Sequence, residues 1–265
     1  MALQNRFNFL VWSKTAPEPE DLHSLPESGF LGKMAASVLL VPGETYSFFI
    51  NAPDGMPVGD FPIHLRSNDL KPMAAGIGNL TPVEIRPSVF NYIAQITIPS
   101  GLPEGYYRLI IQSETGGVNW ISNRVWYCPS GNDNGSALFS FRNRRALASI
   151  PYDKPELNGF RQVLRLKCYT GVPQADTQIE DYQEVTTGRH VAVQINQDLV
   201  VPFRTPLTDA FGHEGFMTML RHKDILINGR PYSLKSGYSS GNGHRRLSEG
   251  SFEMYQTEFS EVNRC

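Results

Sequence analysis

Tyr92-Ile93-Ala94-Gln95-Ile96-Thr97-Ile98-Pro99-Ser100-Gly101-Leu102-Pro103-Glu104-Gly105-Tyr106-Tyr107-Arg108-Leu109-Ile110-Ile111-Gln112 is the stretch on which the fold turns. Two runs rich in β-branched and aromatic residues, 92–98 and 106–112, flank a segment of prolines and glycines. Proline lacks the amide donor of a ladder and glycine favours turn dihedrals, so neither run continues through the breaker. The spacing predicts an antiparallel pair over 92–112 joined by a multi-residue loop.

The same pattern extends outward in both directions. Runs at 7–12, 37–41, 45–51, 61–66 and 118–127 alternate or cluster apolar residues and stop at breakers such as Pro42-Gly43 and Ala52-Pro53-Asp54-Gly55. Evenly spaced short strands with such turns predict a β sandwich over 36–128. Gly76-Ile77-Gly78 lacks the third glycine and following helix of a dinucleotide fingerprint, and is read as a turn. A polar, turn-forming stretch at 129–136 is the predicted linker. Beyond it, over 160–169, Leu164, Leu166 and Cys168 alternate with Val163, Arg165 and Lys167, as in a half-buried strand. Further strands are expected at 190–196, 199–203, 225–227 and 252–259. Thr208-Asp209 is positioned to cap a short helix reaching Leu220, weakened by Gly212 and Gly215.

The expected fold class is therefore mainly all-β, with two β-sandwich-like domains, the second carrying one short helix. The predicted organisation is an N-terminal strand and extended arm over 1–35, a sandwich over 36–128, a linker over 129–136 and a second β-rich domain over 137–265. Residues 14–33 hold Pro17, Pro19 and Pro26 among acids, without a sustained apolar period. Such a segment reads as an arm or long loop.

Composition narrows the function classes. The chain has 265 residues, 40% hydrophobic and 19% charged, enough apolar content for a normal core. A formal charge of -2 gives no global field toward phosphate backbones or anionic lipid, so general nucleic-acid binding is not expected. No stretch approaches the roughly 20 apolar residues that span a bilayer, and the apolar run after Arg6 is shorter than a signal-peptide core. Membrane insertion and signal-peptide export are not expected. Cys128, Cys168 and Cys265 lack metal or redox spacing and are read as free thiols.

No motif match brings the context its chemistry needs. Gly237-Tyr238-Ser239-Ser240-Gly241 fits the nucleophile elbow, but no central strand precedes it and no core helix follows. The segment from Ser130 to Gly135 resembles half a calcium loop, with Phe141 where the bidentate glutamate belongs. His213, Glu214 and His222 do not form the zinc-binding helix motif and are read as exposed or locally bonded. Asn134-Gly135-Ser136 formally matches a glycosylation acceptor, which the expected lack of export leaves without meaning. Trp12, Trp120 and Trp126 are read as core, with a sugar-stacking platform as the alternative. No catalytic residue, metal ligand or cofactor site is assigned. The interface candidates are Leu22, Leu25, Phe30 and Leu31 in the arm, and the basic Arg142, Arg144 and Arg145 after the linker.

Phe139-Ser140-Phe141-Arg142-Asn143, then 160–166, and Leu220-Arg221-His222-Lys223-Asp224-Ile225-Leu226-Ile227-Asn228-Gly229 give the second half a resemblance. It is similar to virion structural proteins of tailed phages that infect Bacteroidota, including crAss-like phages. The resemblance covers about half the chain in texture and carries no catalytic signature, so no functional residue transfers. It implies a small sandwich joined to a second β-rich domain, built into a tail, collar ring or baseplate. On that basis the expectation is a virion component, made in the host cytoplasm, that binds copies of itself and other virion proteins and is not an enzyme. The alternatives are a carbohydrate-binding module or adhesin and, third, a hydrolase with an unrecognised site.

Overall fold

The computed structural model describes residues 3–4, 9–13, 38–51, 59–86, 89–112, 119–130, 135–148, 150–241 and 247–264. The described residues are all-β apart from one α-helix, α1 (Ala210–Met219), and a short 3-10 turn, Pro155–Leu157.

Where the sequence predicts a sandwich, the first half forms an eight-stranded barrel with one strand from the second half. The strands of the first half are β3 (Val38–Leu40), β4 (Thr45–Ile50), β5 (Phe61–Ser67), β6 (Pro72–Arg86), β7 (Val89–Thr97), β8 (Gly105–Gln112), β9 (Asn119–Ser122) and β10 (Val125–Tyr127). The barrel is closed between β3 and β4 by β12 (Gln162–Lys167) of the second half, and β9 lies outside the closed ring. Alternation places Tyr46, Phe48, Ile63, Leu65, Tyr107 and Leu109 in one shared core. The segment 92–112 is not the antiparallel pair the sequence predicts. β7 pairs with β4 and β6, while β8 pairs with β5, β9 and β10, so the two runs lie in different ladders. The cause is the corner between them. Tyr107 donates its hydroxyl hydrogen to the Pro103 carbonyl at 2.7 Å, and Tyr127 does the same to Pro99 at 3.2 Å. These bonds fix a chain that crosses from one ladder to the other instead of doubling back.

Gly76-Ile77-Gly78 is also not a turn. It lies within β6, which pairs with β5 through its first part and with β7 through its last, and so joins the two ladders. Gly76 has a positive φ of 61°, and a Cβ on Gly78 would sit 2.0 Å from the Gln95 carbonyl oxygen. Glycine serves close backbone approach here.

The second half runs in one antiparallel order: β12 (Gln162–Lys167), β11 (Ser136–Arg142), β16 (Asp224–Ile227), β17 (Arg230–Ser240), β18 (Ser248–Arg264), β15 (His190–Thr208) and β14 (Gln174–Gln183). Asn228 and Gly229, at φ 49° and 81°, make the tight turn between β16 and β17. The separate runs expected at 190–196 and 199–203 are one strand, because β15 bulges against β18 without breaking. The capping signal at Asp209 is realised. Its carboxylate accepts from the Gly212 amide at 2.7 Å and starts α1.

Several contacts weld the halves, among them an apolar cluster of Phe49 and Val83 with Ile150, Tyr152 and Leu157. β12 pairs with β3 and β4, so the ladder crosses between them. Arg165 binds Glu44, with Nε to Oε2 at 2.9 Å and a second contact from its terminal nitrogen to Oε1. Phe9 packs edge-on to Phe216 of α1 at 4.9 Å, and a Cβ on Gly215 would meet its ring at 2.6 Å. That close seat is why glycine belongs in a helix it would otherwise weaken. Phe9, with φ 62°, also interrupts the strand expected over 7–12, leaving β2 (Val11–Ser13) to pair with β9.

Limited proteolysis is expected to cut first between Pro129 and Ser136, with the fragments remaining associated through the β12 ladder. Gel filtration of the nicked protein checks both points; first cuts within 92–112 would move the boundary.

Candidate functional site

The basic residues singled out in the sequence converge. Arg142 ends β11, and Asn143, Arg144 and Arg145 continue from it. The β11–β16 register sets Arg142 opposite Asp224, which brings Lys223 to the same place. Arg142, Asn143, Arg144, Arg145, Lys223 and Asp224 line a groove of about 820 Å³. Asp224 does not neutralise it. Arg161 reaches over β11 and grips both Asp224 carboxylate oxygens, at 2.6 and 3.0 Å, while its Nε donates to Ser140 Oγ at 2.7 Å. Arg142, Arg144, Arg145 and Lys223 make no ion pair among the described residues. Four cations facing one concavity focus a positive potential in it.

The other predicted interface residues, Leu22, Leu25, Phe30 and Leu31, lie outside the described residues, as does Cys265. Cys128 and Cys168 are buried free thiols, and burial pushes the Cys168 thiol upward. All three tryptophans are core: Trp12, Trp120 and Trp126 are 0%, 4% and 6% exposed.

A surface the sequence did not single out is the β14–β15 hairpin. No described side chain over 169–190 is buried. Ile179 and Val185 are 60% and 101% exposed, and Tyr169 and Val172 join them. Yet the hairpin is well built. Asp181 and His190 meet at 2.9 Å across it, and the Gln183 amide donates to the Gly188 carbonyl at the tip. At its base Asp176 receives Lys235 at 2.9 Å, and this ammonium holds the Asp176 carboxyl below its usual range. Among the described residues β14 has a ladder partner on one edge only.

Of the two readings the sequence left for His213 and His222, exposed or locally bonded, exposure is excluded for both, and His222 is bonded locally to the Thr218 and Met219 carbonyls. His222 is 4% exposed and lies edge-on to Phe141 and Tyr152. Its Nδ1 sits 3.0 Å from the Met219 carbonyl, so that nitrogen carries the proton and Nε2 accepts from the Tyr152 hydroxyl at 3.0 Å. Burial pushes His222 down to about 4 and Tyr152 up to about 12, so both are neutral. His213 bridges α1 to the sheet, with Tyr238 Oη at 2.5 Å from Nδ1 and Ser248 Oγ at 2.8 Å from Nε2. Gly250 makes this possible, because a Cβ there would fall 1.9 Å from the Tyr238 oxygen.

A serine, a histidine and an orienting hydroxyl in line have the geometry of an activated nucleophile. The elbow motif does not contribute to it: Ser239 is exposed on β17 opposite Ser251, and its neighbour Tyr238 faces His213. Ser239→Ala is expected to leave the thermal midpoint within about 1 °C, as for a surface change. A fluorophosphonate probe should leave Ser239 unlabelled, with peptide mass spectrometry as the readout.

No family model matches the chain, and no curated protein matches it. Among solved structures it is similar to a DUF4784 family protein from Bacteroides caccae, at 13% identity and a TM-score of 0.21. That match covers 62% of this chain, which spans about half (47%) of the other protein's length.

Proposed function

We propose that this chain is a structural subunit of a phage virion, in a tail or head–tail ring, acting through protein–protein interfaces with copies of itself and other virion proteins. The observation that carries the reading is the 169–190 segment, ordered as a hairpin without one described buried side chain. Fixing backbone costs about 1–2 kcal/mol per residue, and although β15 is held by β18, β14 is paired along one edge only among the described residues. The hairpin's exposed Ile179 and Val185 offer the compensating burial only against a partner. The resemblance of the second half to virion proteins of Bacteroidota phages supplies the setting. In a closed ring one such contact repeats around the axis, so a modest interface suffices.

The test is incorporation into particles. Ile179→Glu with Val185→Glu should fold with an unchanged thermal midpoint yet fail to enter particles that take up the unmodified chain. Equal incorporation of both would overturn the reading.

Carbohydrate binding is less well supported, because Tyr169 is the one aromatic among the exposed large apolar side chains of the described residues. Hydrolysis is favoured by a single observation, the 2.8 Å contact between Ser248 and His213. Covalent labelling of Ser248 by the fluorophosphonate probe would make that the better reading.

A further inference from the structure

The basic groove calls for a particular anion. Between Lys14 and Lys33 at the two ends of the 14–33 segment, the stretch 15–32 holds Glu18, Glu20, Asp21 and Glu27 and no other lysine or arginine. The groove presents four cations: Arg142, Arg144, Arg145 and Lys223. We propose that the acidic segment 15–32 of a second copy of this chain occupies the groove, with Glu18, Glu20 and Asp21 against Arg144, Arg145 and Lys223. The inference rests on the assembly reading and names the contact that joins successive subunits.

Charge and chemistry favour this occupant. Arginines bind carboxylates through paired donors, and three of the four cations are arginines. Arg161 already uses that geometry on Asp224 at the groove wall. With a net charge of -2 overall, the chain offers nucleic acid no broader positive field to extend the contact beyond the groove.

The experiment uses full-length chain, half of it labelled with heavy nitrogen, and a carbodiimide that joins amines directly to carboxylates. Mass spectrometry should find Lys223 linked to Glu18, Glu20 or Asp21 in mixed light–heavy pairs. Arg144→Glu with Arg145→Glu should cut the yield about tenfold, as expected for removing several exposed ion pairs. Pairing that variant with a chain carrying Glu18→Arg, Glu20→Arg and Asp21→Arg should restore association, read by sedimentation. Raising salt should weaken both pairings.

The inference is overturned if the links are absent, or if only same-isotope pairs form, which places the segment in its own chain's groove. It is also overturned if charge reversal leaves the yield unchanged, or if a single-stranded oligonucleotide displaces the segment at equal charge concentration. In each of these cases Ile179→Glu with Val185→Glu still tests assembly separately, so failure of the groove contact and failure of the assembly reading are distinguishable.

Discussion

Arg165→Leu is expected to lower the unfolding free energy by about 2–3 kcal/mol. Removing one partner of a buried ion pair costs about 3–5 kcal/mol, and partial exposure of this pair reduces that figure. The side chains of Arg165 and Glu44 are 14% and 21% exposed. Leucine would leave the Glu44 carboxylate with the Tyr46 hydroxyl, which donates to it at 2.6 Å, and without its cation. The loss falls on the one ladder joining the halves, so β12 should part from β3 and β4 before either half unfolds. Urea unfolding followed by tryptophan fluorescence and circular dichroism checks this, with the two signals coinciding in the unmodified chain and separating in the variant. The pair also has a pH signature. Burial pushes the Glu44 carboxyl up, but hydrogen bonds from Arg165 and Tyr46 outweigh it, and the net direction is down. A depressed folded-state value gives stability that is present above the unfolded value and lost as pH falls through the folded one. Glu44→Gln should remove that part of the acid dependence.

His222 acts in a higher pH window. Its folded-state value of about 4, against an ordinary 6.5, means that the unfolded chain binds the proton more readily between those values. Stability therefore declines as pH drops from about 6.5 and is reduced by about 3 kcal/mol near pH 4. Protonation would put a donor on Nε2 against the Tyr152 hydroxyl and a charge beside the Phe141 ring edge. His222→Gln should flatten the stability profile between pH 6.5 and 4, at a cost near neutrality of about 1–2 kcal/mol for the lost packing and hydrogen bond. Denaturant midpoints measured across that range decide it; an unchanged slope would remove His222 as the cause.

The sequence discloses strands better than their partners. The edges of β4, β5 and β8 fall close to where alternation and breakers put them, because those signals are local. The corner at 98–104 was readable in principle: Tyr107, four residues after Pro103 at the start of a strand, is placed to bond back across it, and that bond distinguishes a crossing between ladders from a hairpin. β6 was missed because its glycines imitate a turn until Gln95 is seen against Gly78. Asn228-Gly229 is a strong hairpin signal for β16 and β17, but nothing local announces that β16 pairs with β11. That pairing alone carries Lys223 to Arg142, so the arginine cluster was visible in the sequence and the groove was not. His213 and His222 escaped for a similar reason. Their partners Tyr238, Ser248 and Tyr152 lie 25, 35 and 70 positions away.

The strand shared between the halves sets a timetable for synthesis. Glu44 waits for a partner 121 positions later, and β3 and β4 have no second edge until 162–167 have been made. At about 5–20 residues per second, the roughly 40 residues from 128 to 167 leave the barrel open on the ribosome for about 2–8 seconds. During that interval its bare edge can recruit the same edge of a neighbouring nascent chain. The pace of translation between 128 and 167 therefore decides how much of the protein reaches its fold and how much pairs wrongly with its siblings.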